Sequence, residues 1–199
     1  MPGTHAPVIT LFEAYGAGAD EVGPLLAEAL GVRWVGQSVS TGELEEADPK
    51  GTGRLNIGRF IVSSSLSDIG SVDLVEDPRE RVVRRQAREL AALAEPGAVV
   101  LGRNATMALA GRPNTLHVKL DAAVEFRVAR AADAAGIPPR LADLRRRRED
   151  SARAGLSLET WHWDPRLSDH FDLVVDTQTF GIQGTVDLIL DAFRRVAVV

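Results

Sequence analysis

Apolar and polar positions along the chain follow two alternating rhythms. Five short apolar runs, Val8–Phe12, Arg33–Val35, Ala98–Leu101, Thr115–Leu120 and Asp172–Asp176, read as strands. Between them, apolar residues recur at helical spacing near 20–30, 77–94, 123–135, 139–153 and 181–195. Gly31 follows the first helical pattern at the position where glycine relieves a left-handed turn, and Glu95-Pro96-Gly97 ends the second. Pro24 falls early in the first helix, where a missing N–H costs little. Strands alternating with helices predict a parallel sheet covered on both faces.

Two segments break this rhythm. Residues 36–76 are rich in Gly, Ser, Thr and acidic side chains, with a loop at Asp48-Pro49-Lys50-Gly51-Thr52-Gly53, and read as an insertion on the sheet. Residues 139–170 are heavily charged and end in Trp161-His162-Trp163-Asp164-Pro165. Two readings fit that second segment: a movable cover over a site, or a solvated helix and a loop pinned by two tryptophans.

The turn after the first strand carries candidate chemistry. Tyr15-Gly16-Ala17-Gly18 joins Val8–Phe12 to a helical pattern running through Leu25, Leu26, Ala29 and Leu30. Strand, glycine turn and helix start, in that order, bring backbone N–H groups around an anion at the positive end of a helix dipole. A plain βα bend would use the same glycines. The P-loop pattern G-x-x-x-x-G-K-[ST] is incomplete, because its lysine position holds Ala19 and two acids, Asp20 and Glu21, lie close behind. A dinucleotide fingerprint fits less well still, since the third glycine of G-x-G-x-x-G falls on Glu21.

Composition narrows the function classes. The chain of 199 residues is long enough to bury a sizeable core. A net charge of −5 argues against a general nucleic-acid or membrane-surface binder. The absence of cysteine removes disulfides, thiolate nucleophiles and Cys-held metals. His5, His117, His162 and His170 show no metal-ligand spacing and read as structural or exposed. No stretch approaches the ~18 apolar residues of a membrane span, so a soluble, cytoplasmic protein is expected.

Positive charge gathers on a few elements. Arg145, Arg146, Arg147 and Arg148 precede Glu149, Asp150 and Arg153, and with Leu141 and Leu144 facing inward the run fits a helix. Guanidinium groups one turn apart can grip phosphate oxygens, or they can form a solvated face with local acids. Arg103 follows Ala98–Leu101 and Gly102 at a carboxyl strand end, where ligands of open α/β sheets bind. A surface salt bridge is its other reading. Arg81, Arg84, Arg85 and Arg88 read as an exposed helix face. Arg127 and Arg130 can join a phosphate site or pair with Glu125 and Asp133.

These motifs, in this order, resemble the cytidylate kinase-like branch of the nucleoside monophosphate kinases. The family opens with a strand, an aromatic-Gly-small-Gly turn and a helix ending in Leu-Gly, matched by Tyr15-Gly16-Ala17-Gly18 and Leu30-Gly31. A strand ending in Gly-Arg matches Val99-Val100-Leu101-Gly102-Arg103. The next strand and helix are similar in Leu116–Ala122 and Glu125–Arg130, and an arginine-rich lid helix is similar to Arg147–Arg153. The last strand corresponds to Phe171–Thr177. Three positions depart from the pattern. Asp20 stands where the branch places a basic residue, Glu13-Ala14 stands where Arg-Glu is frequent, and Asn104 replaces an aspartate expected in cytidylate kinases.

The resemblance implies one three-layer α/β P-loop kinase-like domain over 1–199. It would hold a five-stranded parallel sheet, an acceptor-binding insertion at 36–76 and an Arg-rich lid at 139–170. It further implies ATP on Gly16, Ala17, Gly18, Ala19, Asp20 and Glu21, with Mg²⁺ held by Asp20 or Glu21. The acceptor would meet Arg103 and Asn104, and the lid arginines Arg148, Arg153 and Arg145 would close over the transferring group. The implied activity is transfer of the ATP γ-phosphoryl group to CMP or a related small acceptor, with small-molecule nucleotides as partners. The alternative is a nucleotide-binding or regulatory protein that keeps the fold with impaired catalysis.

Overall fold

The computed structural model describes residues 5–37, 42, 78–102 and 104–196. The candidate insertion at 36–76 therefore lies outside the described residues, apart from 36, 37 and 42, and so does Arg103.

In chain order the elements are β1 (Val8–Glu13), α1 (Ala19–Leu30), β2 (Arg33–Val35), α2 (Pro78–Ala94), β3 (Ala98–Leu101) and α3 (Ala105–Ala108). Then follow β4 (Thr115–Asp121), α4 (Val124–Ala135), α5 (Pro139–Trp161), β5 (Leu173–Asp176) and α6 (Thr177–Val196). The five strands form one sheet in the order β2-β3-β1-β4-β5, and every pairing is parallel. Val8 lies opposite both Ala98 and Thr115, so β1 is the central strand, and every strand ends at the same edge. Both faces are covered, so β1 and β3 are nearly continuous apolar runs, while β4 alternates apolar residues with Thr115, His117 and Lys119.

On one face Ile9 and Leu11 of β1 join Val99, Leu101, Leu116, Val118 and Leu120, and pack against Val22 and Leu26 of α1 and Ile189 and Phe193 of α6. On the other face Val8, Ala98 and Val100 meet Leu90 and Ala94 of α2, Ala105 of α3 and Leu109 at its end. Each fully buried Leu, Ile or Val stabilises this arrangement by about 1.5–3 kcal/mol. The second face also buries polar groups. Thr10 Oγ1 lies 2.8 Å from His117 Nδ1 and 3.3 Å from Thr106 Oγ1, and burial pushes the His117 imidazole pKa down.

Two helices differ from expectation. The pattern predicts α5 to end near 153 with Leu141 and Leu144 inward; instead it runs to Trp161, and both leucines are exposed. Its buried residues are Ala142, Arg148, Glu149, Ala152, Ala154, Ser157 and Thr160. Charged residues take the inward positions where this helix meets the glycine turn, while Ala142 packs on Ala131 and Ala132 of α4. The last helix begins earlier than 181, but Gly181 (φ 63°, ψ −179°) interrupts it, so a single turn precedes the long segment. No helix among the described residues is long and apolar enough to cross a membrane.

Candidate functional site

The parallel sheet delivers the ends of β1, β3 and β4 to one edge, and β1 and β3 are neighbours there. The turn from Ala14 to Gly18 leaves β1 at this edge. Ala14 N donates to Leu120 O at 3.0 Å and Ala17 N to Ala14 O at 2.9 Å. Gly16 (φ 84°) and Gly18 (φ 99°) adopt left-handed backbone, which side-chain-bearing residues rarely enter. Space is short as well, because a Cβ on Gly16 would collide with the carbonyl oxygen of Arg127.

Gly18 caps α1 without a side-chain hydrogen bond of its own. The first N–H groups of a helix lack intrahelical partners and must find an acceptor. Here they find Glu13. Its Oε1 accepts from Gly18 N at 2.8 Å and from Ala19 N at 3.2 Å. Glu13 is 9% exposed. Burial pushes its carboxyl pKa up, against the opposing pull of the Arg153 charge and the two amides, with the Asp20 charge adding to the rise.

α5 and α4 enclose the turn. Asp150 Oδ1 accepts from Tyr15 N at 3.0 Å, and Arg127 Nη1 donates to Tyr15 O at 2.9 Å while lying 3.4 Å from Asp150 Oδ2. Arg127 Nε also donates to Ala122 O at 3.0 Å and lies 3.6 Å from Asp121 Oδ1. Arg127 is thus buried as a clamp on the back of the turn. Arg130 pairs with Glu21, and its guanidinium lies against Gly18. Neither arginine is ion-paired with Glu125 or Asp133.

The arginine run divides by face. Arg146 and Arg147 chelate Asp143, at 2.8 and 2.6 Å, and those hydrogen bonds hold the Asp143 carboxyl pKa below its ordinary value. Arg148 is buried. Arg153 pairs with Oε2 of Glu149, which is only 1% exposed, while Glu149 Oε1 and Arg153 Nη1 are buried without a hydrogen-bond partner. Burial pushes the Tyr15 hydroxyl pKa up, and the charges of Glu149, Arg145, Arg153 and Glu13 all reach it. Glu13 and Tyr15, at the turn before α1, thus feel the charge of Arg153, which Glu149 holds.

Asn104 has a different setting. It adopts left-handed backbone (φ 55°), and its Oδ1 accepts from Ser157 Oγ at 2.6 Å and Trp163 Nε1 at 3.2 Å. Its amide carbonyl thereby ties the end of β3 to α5. Trp161 Nε1 donates to Gln86 Oε1 of α2 at 3.1 Å, and Lys119 Nζ to Arg166 O at 2.6 Å. Within 139–170, Ser157, Trp161, Trp163 and Arg166 are thus tied to Asn104, Gln86 and Lys119, while 166–170 are exposed. Asp20 is exposed and Glu21 is engaged by Arg130; no group of three or more His, Asp or Glu among the described residues could hold a metal.

Sequence reasoning named the loop and the arginines but passed over Glu13 and Glu149 as site residues. A charged residue closing a buried β-branched run, just before a glycine turn, was the available signal for Glu13.

A sequence profile described as the cytidylate kinase-like family matches residues 8–179. The chain belongs to the cytidylate kinase-like family. A solved structure of an uncharacterized protein from Eubacterium ventriosum is similar to it, with a TM-score of 0.67 at 16% identity, covering 94% of this chain and 98% of that one. Shikimate kinase from Bacteroides thetaiotaomicron superposes with a TM-score of 0.51 at 16% identity, covering 94% and 98%. Such likenesses establish the P-loop kinase fold of this family member. A uronate isomerase from Corynebacterium glutamicum is 25% identical over 144 residues, which is 70% of this chain and 28% of that protein's length.

Proposed function

We propose that this family member is an ATP-dependent phosphotransferase that moves the γ-phosphoryl group of ATP to CMP or a related small acceptor. One observation carries the reading: the amides of Gly18 and Ala19 converge on a single carboxyl oxygen, an arrangement suited to cradling an anion. ATP, with Mg²⁺ on its phosphate oxygens, supplies the transferable group and part of the charge neutralisation when bound. The donors of the turn fit that group. In this reading the amides from Gly16 to Glu21 hold phosphate oxygens, and Asp20 meets Mg²⁺ directly or through water. Arg148 and Arg153, with Arg145 beside them, stabilise charge on the transferring group, and Arg103 and Asn104 face the acceptor. Positioning and charge do most of the work in such transfers. The acidic net charge supports small-molecule nucleotides rather than nucleic acid as partners, and an ATP requirement fits a cytoplasmic setting.

A second reading, a nucleotide-binding protein with impaired catalysis, is favoured by Ala19 at the lysine position and by a carboxylate in the cradle. ADP formation from ATP and Mg²⁺ against a panel of nucleoside monophosphates, with an acceptor-free control, separates the two. Turnover dependent on CMP or another acceptor is expected. ATP binding without ADP above the control would leave the second reading standing.

A further inference from the structure

The cradle in this structure is satisfied from within the chain. Glu13 Oε1 accepts both amides at the start of α1, and its side chain is nine-tenths buried. We propose that Glu13 is the specificity-determining residue of the turn: its carboxylate competes with a phosphoryl anion for Gly18 and Ala19, and the anion binds only by displacing it. The inference rests on reading the turn as a phosphate site.

Three observations support it. First, the geometry at Oε1 is that of a bound anion, with two convergent N–H donors at the positive end of a twelve-residue helix. Second, the local charge is unfavourable for a further anion. The Glu13 carboxylate already fills the acceptor position, Asp20 adds negative charge that Arg153 and the Arg130 guanidinium against Gly18 only partly offset, and Ala19 contributes no ammonium. A phosphoryl dianion entering beside a seated carboxylate would meet like charge in a site screened from water. Third, Arg153 is built to change partners. It holds Glu149 with one nitrogen, while its buried Nη1 is unpaired and its charge acts on Glu13.

Displacement needs little from the backbone. Glu13 is the last residue of β1, held in register opposite Leu120, so the displacement is a rotation of its side chain with the strand left in place. An incoming phosphoryl oxygen would then take the two amides, and Arg153 Nη1 would gain an acceptor. No covalent bond changes. Burial has already raised the Glu13 carboxyl pKa, so this acid is held less comfortably as an anion than an exposed one.

The test is calorimetric titration of the full chain with inorganic pyrophosphate in metal-free buffer, comparing wild type, Glu13→Ala and Glu13→Gln. Backbone amide NMR of Gly18 and Ala19 accompanies each titration. The expected result is an affinity gain of about tenfold or more in Glu13→Ala, equivalent to ~1.4 kcal/mol. A smaller gain is expected in Glu13→Gln, whose neutral amide oxygen can still accept from both N–H groups. In all three, the Gly18 and Ala19 resonances should move. Equal or weaker binding by the variants, with those two amides still shifting, overturns the competition while the phosphate site stands. Failure of all three proteins to bind removes the phosphate site and the inference with it. Should Glu13→Ala not fold, the near-isosteric Glu13→Gln decides alone: a gain supports competition, and no change or a loss overturns it.

Discussion

On the outer face of α5, Arg147 is 68% exposed and pairs with Asp143 four residues before it; on the inner face, Arg153 is 18% exposed and pairs with Glu149, also four residues before it. The spacing and chemistry are the same, and the surroundings differ. Water around Arg147 screens the pair and supplies alternative partners, so its contribution is of the order of 0–1 kcal/mol. Around Arg153 the partner carboxylate is almost fully removed from water, and one atom on each side of the pair is left without a hydrogen bond. Such a pair is costly to assemble and more costly to break. A helix that places unsaturated charge against a glycine turn, while leaving Arg147 in water, has one face organised around that turn.

Breaking the inner pair is expected to give the largest effect. Glu149→Ala should destabilise the fold by about 3 kcal/mol, because Arg153 then lies near the cradle without its counter-charge. Glu149→Gln should cost less. A shift in denaturation midpoint at unchanged m-value measures both, and a loss below about 1 kcal/mol would show that the inner pair is as well solvated as the outer one. Next come the inner arginines themselves. Under the phosphotransferase reading, Arg148→Ala and Arg153→Ala are expected to lower kcat by about 10²-fold, with a smaller change in ATP affinity. Unchanged turnover in both variants would remove the inner face of α5 from the chemistry.

How far the sequence carried this picture differs from element to element. The strands were readable to within a residue, because β1 and β3 are short apolar runs and all five are bounded by turn residues or helical patterns. α5 departs from the expectation because apolar periodicity follows large apolar side chains, and this helix turns alanines to α4 and charged residues to the glycine turn. Leu141 and Leu144 were assigned inward on that rule and lie outward. The same limit hid Glu13: periodicity carries no information about a carboxylate folding back onto amides five and six residues ahead. The two readings of Arg127 and Arg130 depended on three-dimensional neighbours. Arg127 reaches Tyr15 across 112 positions and Arg130 reaches Glu21 across 109, distances over which local sequence says nothing. Arg103 and most of 36–76 lie outside the described residues, so the acceptor side rests on sequence alone.

The smallest expected effect sharpens the contrast from the other side. Arg147→Ala removes an exposed guanidinium that donates to Asp143 through Nε at 3.0 Å and Nη2 at 2.6 Å, yet Asp143 keeps Arg146 at 2.9 and 2.8 Å. The carboxylate loses one of two partners and stays in contact with water. Stability should change by no more than about 0.5 kcal/mol, and kcat should be unaltered. The Asp143 carboxyl pKa, held down chiefly by its hydrogen bond to Arg147 and then by that to Arg146, should rise toward its ordinary value without reaching it. NMR titration of that carboxyl between pH 2 and 6 reads the shift directly. A loss of stability matching that of Glu149→Ala would mean that the division of α5 into a solvated face and a working face is wrong, since the outer pair would then be carrying structure that its exposure gives it no means to carry.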